Sequence, residues 1–550
     1  MSDHIRSFFS GKDARKKGIA IALVAIVALS FAWRFTARIK HFQECDSSAV
    51  YAMVSDTYGI QGQLGEKLEK TANEDSAGFY RSLANTRLAL RFYALSAVSV
   101  HAFRSLLTVP FASTYSAGSG FIYGLVSHEG MNYQEFLSRA VTITLLLFHV
   151  SVLLLYFTLR RMGISAGSAL LASLVMLFSI SLSSYGYHLG STVWNYASGF
   201  LWCYLLARFW RTPKTFWIVA VATAVLIFFN YLIILFWFSF IFAVLWSTFA
   251  REGRRTMTRE IVRLARSQWL VAIAILVVLF FYPPGQGNRV DTILSSFFSD
   301  SYYIVLNFFS FSAQNTPLDV IVFLMGGAAV AAFFFAKRMR NRESSSDILG
   351  RMLVVLCLLF LFFVAVGVLG SAPSRHILFL APLVFIGLAE GIEAARTYVA
   401  PYISYWVIGG ASALLLFFGF VSMGTRMETA SARMADATNP RIQGIATFYC
   451  MIDTIERMSV EYPVIKATSP ELLQKGAVYL YVDRKDDFRT MQKQWEASGR
   501  SVKIDVLSVK ENASNTYFVA RNPDPGRLGG HEPNALYQVL FHVIENKPIH

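Results

Sequence analysis

Long apolar runs, separated by short turns rich in Arg and Lys, constrain this chain more than any other feature. From Ile19 onward no charged side chain occurs before Arg34, and comparable runs recur at 140–159, 168–183, 192–207, 216–246, 270–282, 352–369 and 402–423. A bilayer core takes about 20 residues of helix, because no water is present to satisfy backbone N–H and C=O groups. The runs are continuous rather than alternating, which selects helices over a membrane barrel. With 55% hydrophobic and 15% charged residues among 550, the composition excludes an ordinary soluble protein.

The formal charge of +15 does not point to nucleic acid. The positive residues sit in the turns between apolar runs: Arg15, Lys16 and Lys17 before the first, then Arg160-Arg161, Arg208 with Arg211 and Lys214, a basic loop from Arg251 to Arg266, Lys337 to Arg342, and Glu390 to Arg396. That placement follows the bias of Lys and Arg toward the cytoplasmic face. The expectation is a polytopic α-helical membrane protein of about 11 transmembrane helices with a C-terminal soluble α/β domain. Its cytoplasmic N-terminus covers 1–18 and leads into an uncleaved signal anchor. The transmembrane region covers 19–423, with extracytoplasmic loops at 36–139 and 283–319, a break near Asn230 and a short outer turn at 185–190. The extracytoplasmic domain covers 424–550.

Within the first loop, apolar residues at helical spacing suggest helices lying along the membrane surface. In the tail, 444–458 and 486–496 read as helical, whereas 477–482, 502–509 and 516–520 read as strands. Cys203 and Cys357 lie in apolar runs and read as packing residues. Cys45 and Cys450 fall on the same expected side, either as a disulfide or as two free thiols.

The residues able to carry chemistry gather at the expected outer surface. Asp46 and Glu44 follow the first apolar run, where a carboxylate can accept a proton from an attacking hydroxyl. Asp46, followed by Ser47-Ser48, also reads as a helix N-cap, and Glu44 as a solvated loop charge or a substitute base. Asp56 reads as a surface charge or as part of an acceptor or metal site. Arg375 and His376 are the leading candidates to hold a phosphate, with Arg289, Arg104, Arg91 and His101 behind them. A lone Arg at a span end also serves as an interfacial anchor. His188 lies in the outer turn, where it either touches substrate or bonds within the turn. The stretch Ser113 to Gly124, with Tyr115 and Gly118, suggests a re-entrant turn lining a cavity. No Walker loop, Rossmann glycine fingerprint, HExxH or paired CxxC is present.

On these residues the chain resembles the membrane-embedded GT-C glycosyltransferases, which include protein O-mannosyltransferases, aminoarabinose transferases of lipid A and arabinofuranosyltransferases. The matching features are Glu44-Cys45-Asp46 ahead of Tyr51, Thr114-Tyr115-Ser116-Ala117-Gly118, Arg160-Arg161-Met162-Gly163, and Ser374-Arg375 leading to Pro382. The common adjacent Asp-Glu pair of the family is here divided by Cys45. The resemblance covers the membrane region, 18–423.

It implies hexosyl or pentosyl transfer, normally with inversion, from a polyprenyl-phosphate-linked sugar to a cell-envelope glycan, lipid or protein on the periplasmic side of a bacterial inner membrane. Asp46 or Glu44 would be the base and Arg375 would steady the departing phosphate. It specifies no cofactor and is compatible with a divalent metal. The partners implied are that donor, the acceptor and membrane lipid, with no nucleic acid. Two rivals stand beside it: a polytopic transporter or flippase, and a non-catalytic scaffold subunit of the same layout.

Overall fold

The structure is a computed structural model that describes residues 12–36, 117–128, 131, 133–187, 189, 191–209, 215–252, 254–281, 348, most of 351–359, 378–397 and 406–421, and in the tail 444–447, 464–466, 475–484, 493, 502–512 and 536–546. The apolar runs become helices: α1 (Lys12–Thr36), α2 (Ala117–Leu125), α3 (Tyr133–Arg161), α4 (Ala166–Phe178), α5 (Ile180–Tyr185), α6 (Ser191–Phe209), α7 (Phe216–Leu226), α8 (Ile233–Glu252), α9 (Arg254–Phe281), α10 (Ala381–Thr397) and α11 (Trp406–Val421). Among the described residues three segments are long and apolar enough to cross a bilayer alone: Lys17–Thr36, Glu135–Arg161 and Leu378–Arg396. The stretch between the loop at 283–319 and Lys337 lies outside the described residues, and the run at 352–369 is described only in part.

Side-chain ties fix how the helices run. Ser30 meets His149 and Arg34 reaches the Leu177 carbonyl, so α1 lies antiparallel to α3 and parallel to α4. A Cβ on Gly167 would meet Ile408 and one on Gly419 would meet Phe178, so α11 runs alongside α4 in the same direction. The Glu393 carboxylate accepts from the Ser165 and Ser168 hydroxyls at 2.6 and 2.7 Å, which brings the last turn of α10 to the first turn of α4. These ties gather Arg160, Arg161, Glu393 and Arg396 at one end of the bundle, hereafter the arginine-rich end. The starts of α7 and α9 sit there too, where Arg263 lies over the Phe216 ring.

Local chemistry accounts for the helix ends. α3 stops at Gly163, whose φ of 87° is the left-handed conformation that closes a helix without a Cβ penalty. Its N–H bonds the Arg160 carbonyl while Ile164 N–H bonds Leu159. Ser165 then caps α4 by accepting from the Ser168 N–H. The α7–α8 hairpin, 216–246 in the sequence reading, turns at Asn230 as expected. Trp202 of α6 wedges between its arms, donating to Thr223 at 2.8 Å and meeting the Phe236 and Phe240 rings edge-on.

Three expectations are corrected. The span at 168–183 is two helices, because the backbone of Ser179 turns to ψ 124° and ends α4 before α5 begins. The basic loop Arg251 to Arg266 is helical: α8 runs to Glu252 and α9 begins at Arg254 and continues through the expected span at 270–282. An i, i+3 pair between Glu260 and Arg263 supports that basic helix. The stretch expected as helix from Gly444 opens instead as a strand, where Ile445 and Ala446 pair on both sides.

In the tail, β1 (Gly444–Thr447), β2 (Val464–Lys466), β3 (Val478–Arg484), β4 (Val502–Asn512) and β5 (Leu536–Asn546) form one mixed sheet in the order β2-β1-β3-β5-β4. β1 is parallel to β2 and β3, whereas β5 is antiparallel to β3 and β4. The expected strands at 477–482 and 502–509 are β3 and β4. The stretch 516–520 lies outside the described residues, as does nearly all of the expected helix at 486–496.

Candidate functional site

The end of the bundle opposite the arginines is built from two linked clusters. The first surrounds Arg34, in the last turn of α1 and only 2% exposed. Its Nη2 donates to the Leu177 carbonyl at 3.0 Å, and its guanidinium lies 5.0 Å from the centroid of the Phe148 ring. A guanidinium is planar and weakly hydrated, which suits it to an aromatic face in a helix interior. One turn earlier on α1, the Ser30 hydroxyl lies 3.2 Å from His149 Nε2. The Leu145 carbonyl, 2.7 Å from His149 Nδ1, can only accept, so Nδ1 donates and in the neutral ring Nε2 accepts from Ser30. Phe31 and Phe148 enclose the imidazole edge-on. α1 is thereby held in azimuth and depth against α3 and α4.

The second cluster lies at the starts of α2, α3 and α6 and the tip of the α7–α8 hairpin. Gly118 N–H donates to the Phe228 carbonyl at 2.9 Å, and a Cβ on Gly118 would sit 2.5 Å from the Phe229 ring. Trp194 stacks on Phe229 at 5.6 Å and meets Tyr123 edge-on at 5.9 Å, while Tyr123 meets Phe136 at 6.3 Å. The Tyr123 hydroxyl accepts from Trp194 Nε1 and donates to the Leu189 carbonyl. Asn230 uses both ends of its amide, donating to the Asn195 carbonyl and accepting from Leu232 N–H, each at 2.9 Å. The second bond satisfies an N–H that the hairpin turn would otherwise leave bare in an apolar setting, and the first ties the turn to α6.

Between the clusters, the backbone carbonyls of Gly186 and Leu189 are both held by side chains. Thr144 donates to the Gly186 carbonyl at 2.7 Å, and Tyr123 to that of Leu189.

Of the candidate catalytic, phosphate-binding and cavity residues named from sequence, Gly118 alone lies among the described ones. It sits in the first turn of α2 rather than in an irregular turn, because 117–125 is apolar and packs on the hairpin tip. Glu44, Asp46, Asp56, Arg104, Tyr115, His188, Arg289, Arg375 and His376 lie outside the described residues, as do Arg91, His101, Cys45, Cys357 and Cys450. The described elements that flank them share a direction. α1 stops and α2 starts at this end, α9 runs toward it, and α10 begins toward it. Cys203 is free and buried, as expected for a packing residue. Among the described residues, no group of three or more His, Cys, Asp or Glu stands close enough to hold a metal ion.

Sequence reasoning missed Arg34 as an interior residue. It stands between Trp33 and Phe35 at the end of the first apolar run, and the signal that could have found it was His149, an isolated ionisable residue on the helix that packs against α1.

No family model matches the chain, and no curated protein matches it. Among solved structures the chain is similar to the crystal structure of ArnT from Cupriavidus metallidurans in the apo state, at 10% sequence identity and a TM-score of 0.44, over 96% of this chain and 98% of that one.

Proposed function

We propose that the protein is an integral-membrane glycosyltransferase of GT-C type that moves a sugar from a polyprenyl-phosphate donor to an envelope acceptor on the extracytoplasmic face. The observation that carries the reading is segregation along the bundle. Among the described residues, Arg160, Arg161, Arg263 and Arg396 gather at one end, while the helices flanking the acidic and cationic candidates stop, start or point at the other. A lipid-linked phosphate donor needs this arrangement, with prenyl chain in the apolar region and reacting groups at the polar surface.

The step is a single displacement. The Asp46 carboxylate, or Glu44 in its place, takes the acceptor hydroxyl proton while that oxygen bonds the anomeric carbon. The bond from anomeric carbon to phosphate oxygen breaks, and its electron pair leaves with the polyprenyl phosphate, whose charge Arg375 and His376 stabilise. The transporter reading calls for ionisable groups lining a path at mid-depth. Arg34 and His149 instead face the packed rings of Phe31 and Phe148, which favours a structural role for both.

The test is purified protein in proteoliposomes offered a panel of polyprenyl-phosphate sugars with an envelope extract as acceptor. Labelled sugar should move to the acceptor fraction; no transfer from any donor would overturn the reading. Arg375→Ala should raise the donor KM roughly tenfold or more, the loss of one charge-assisted contact.

A further inference from the structure

The outward face of α9 changes character along its length. At the pitch of an α-helix, Arg255, Arg259, Arg266, Trp269 and Ile273 fall within about 80° of arc, and all five are exposed, Trp269 at 59% and Ile273 at 46%. Leu276, 65% exposed, extends the apolar part, while Leu264 and Val271 on the opposite side are buried. The exposed face is therefore cationic as far as Arg266 and apolar from Trp269 onward.

α9 brings no acid to that face. Glu260, its one acidic residue, is on the inner side and pairs with Arg263, which in turn lies over the Phe216 ring. Arg255, Arg259 and Arg266 have no ion-pair partner among the described residues, so their charge is directed outward. α9 starts at the arginine-rich end of the bundle, opposite the clusters described above, so this face is separate from the proposed donor site and does not rest on the transfer reading.

We propose that this face of α9 binds anionic phospholipid of the adjoining leaflet, with acyl chains against Trp269, Ile273 and Leu276 and the headgroup phosphate at Arg266. The order of residues along the helix identifies the occupant. A soluble anion would meet the arginines but gain nothing from the apolar part, and a zwitterionic lipid balances its phosphate with its own ammonium; a net negative headgroup joined to a chain matches both parts. Trp269 stands at the junction, the depth at which an indole rests at a bilayer surface. Arg259 lies about 10 Å further along the axis than Arg266, within roughly a Debye length of the headgroups, so it and Arg255 add attraction without contact.

The experiment is tryptophan fluorescence in nanodiscs of phosphatidylcholine containing increasing fractions of brominated-chain phosphatidylglycerol or brominated-chain phosphatidylcholine, the Trp269 contribution being taken as the difference between wild type and Trp269→Phe. Half-maximal quenching should come at a fraction about tenfold lower for the anionic lipid, since one basic residue near the surface is worth about fivefold and the outer two add less. Arg266→Gln should cut that preference about fivefold, Arg266→Lys should keep it, and the triple variant Arg255→Gln, Arg259→Gln, Arg266→Gln should abolish it. Quenching by brominated phosphatidylcholine should be the same in every variant, which reports that α9 still faces lipid, and excess soluble glycerol phosphate at matched ionic strength should leave the preference intact. Equal half-maxima in the wild type, an unchanged preference in the triple variant, loss of the preference to glycerol phosphate, or a Trp269 that neither lipid quenches because protein covers it would each overturn the proposal.

Discussion

A methyl group on Gly118 has nowhere to go. The Phe229 ring atoms lie 2.5 to 2.8 Å from where it would stand, and Phe229 is itself stacked on Trp194. Gly118→Ala should therefore destabilise the bundle by roughly 1–3 kcal/mol, as overpacking of a well-filled interior does. The check is the thermal unfolding midpoint in detergent; an unchanged midpoint would contradict the docking of α2 on the hairpin tip. Arg34 makes a second residue-scale case. Arg34→Ala removes the donor to the Leu177 carbonyl and the partner of the Phe148 ring, at a cost of roughly 1–3 kcal/mol. Chemical denaturation of the reconstituted protein would measure it, and a variant as stable as wild type would show that α1 is not held there.

At the scale of elements, the tie between α4 and α10 is the most self-contained. Glu393 receives two hydroxyls, from Ser165 and Ser168, and Ser165 caps α4, so the carboxylate also faces the positive end of that helix. A double-mutant cycle between Glu393→Gln and the Ser165→Ala, Ser168→Ala pair should give a coupling of about 1 kcal/mol, and additive effects would deny the tie.

Legibility in sequence varied by element for physical reasons. The hairpin break at Asn230 was readable because a polar amide within a long apolar run must find backbone partners, and it does so at Asn195 and Leu232. The break at Ser179 was not, because serine is tolerated inside apolar helices and only its backbone angle ends α4. The helical start of α9 was hidden by its arginines, since charge density suggests a loop while the spacing of Glu260 and Arg263 is helical. β5 and the short β2 were not foreseen, because the tail sheet joins strands far apart in sequence and register depends on partners. At the candidate site, Gly118 was legible as a small residue beside aromatics. Its reason, close approach to Phe229, depends on a ring more than a hundred positions away.

For the whole molecule, the direction of α1, α3, α4, α10 and α11 follows from side-chain contacts between helices, independent of the loop charges, and it sorts the described Arg-rich turns to one end. That agreement leads to a sidedness experiment. In a background with Cys45, Cys203, Cys357 and Cys450 changed to Ser, Lys475→Cys should react with a membrane-impermeant maleimide applied outside the cytoplasmic membrane, and Arg161→Cys should react only after permeabilisation. Equal labelling of both positions would contradict the topology.

The most direct measurement of the central claim, a carboxylate-assisted transfer at the end opposite the arginines, is the rate of sugar transfer by Asp46→Asn and Glu44→Gln beside wild type in the same proteoliposomes. Asn keeps a capping oxygen and removes the base, so the account predicts loss of transfer by about a hundredfold or more in the variant of the true base, with donor binding and thermal stability near wild type. Wild-type rates in both variants would contradict it.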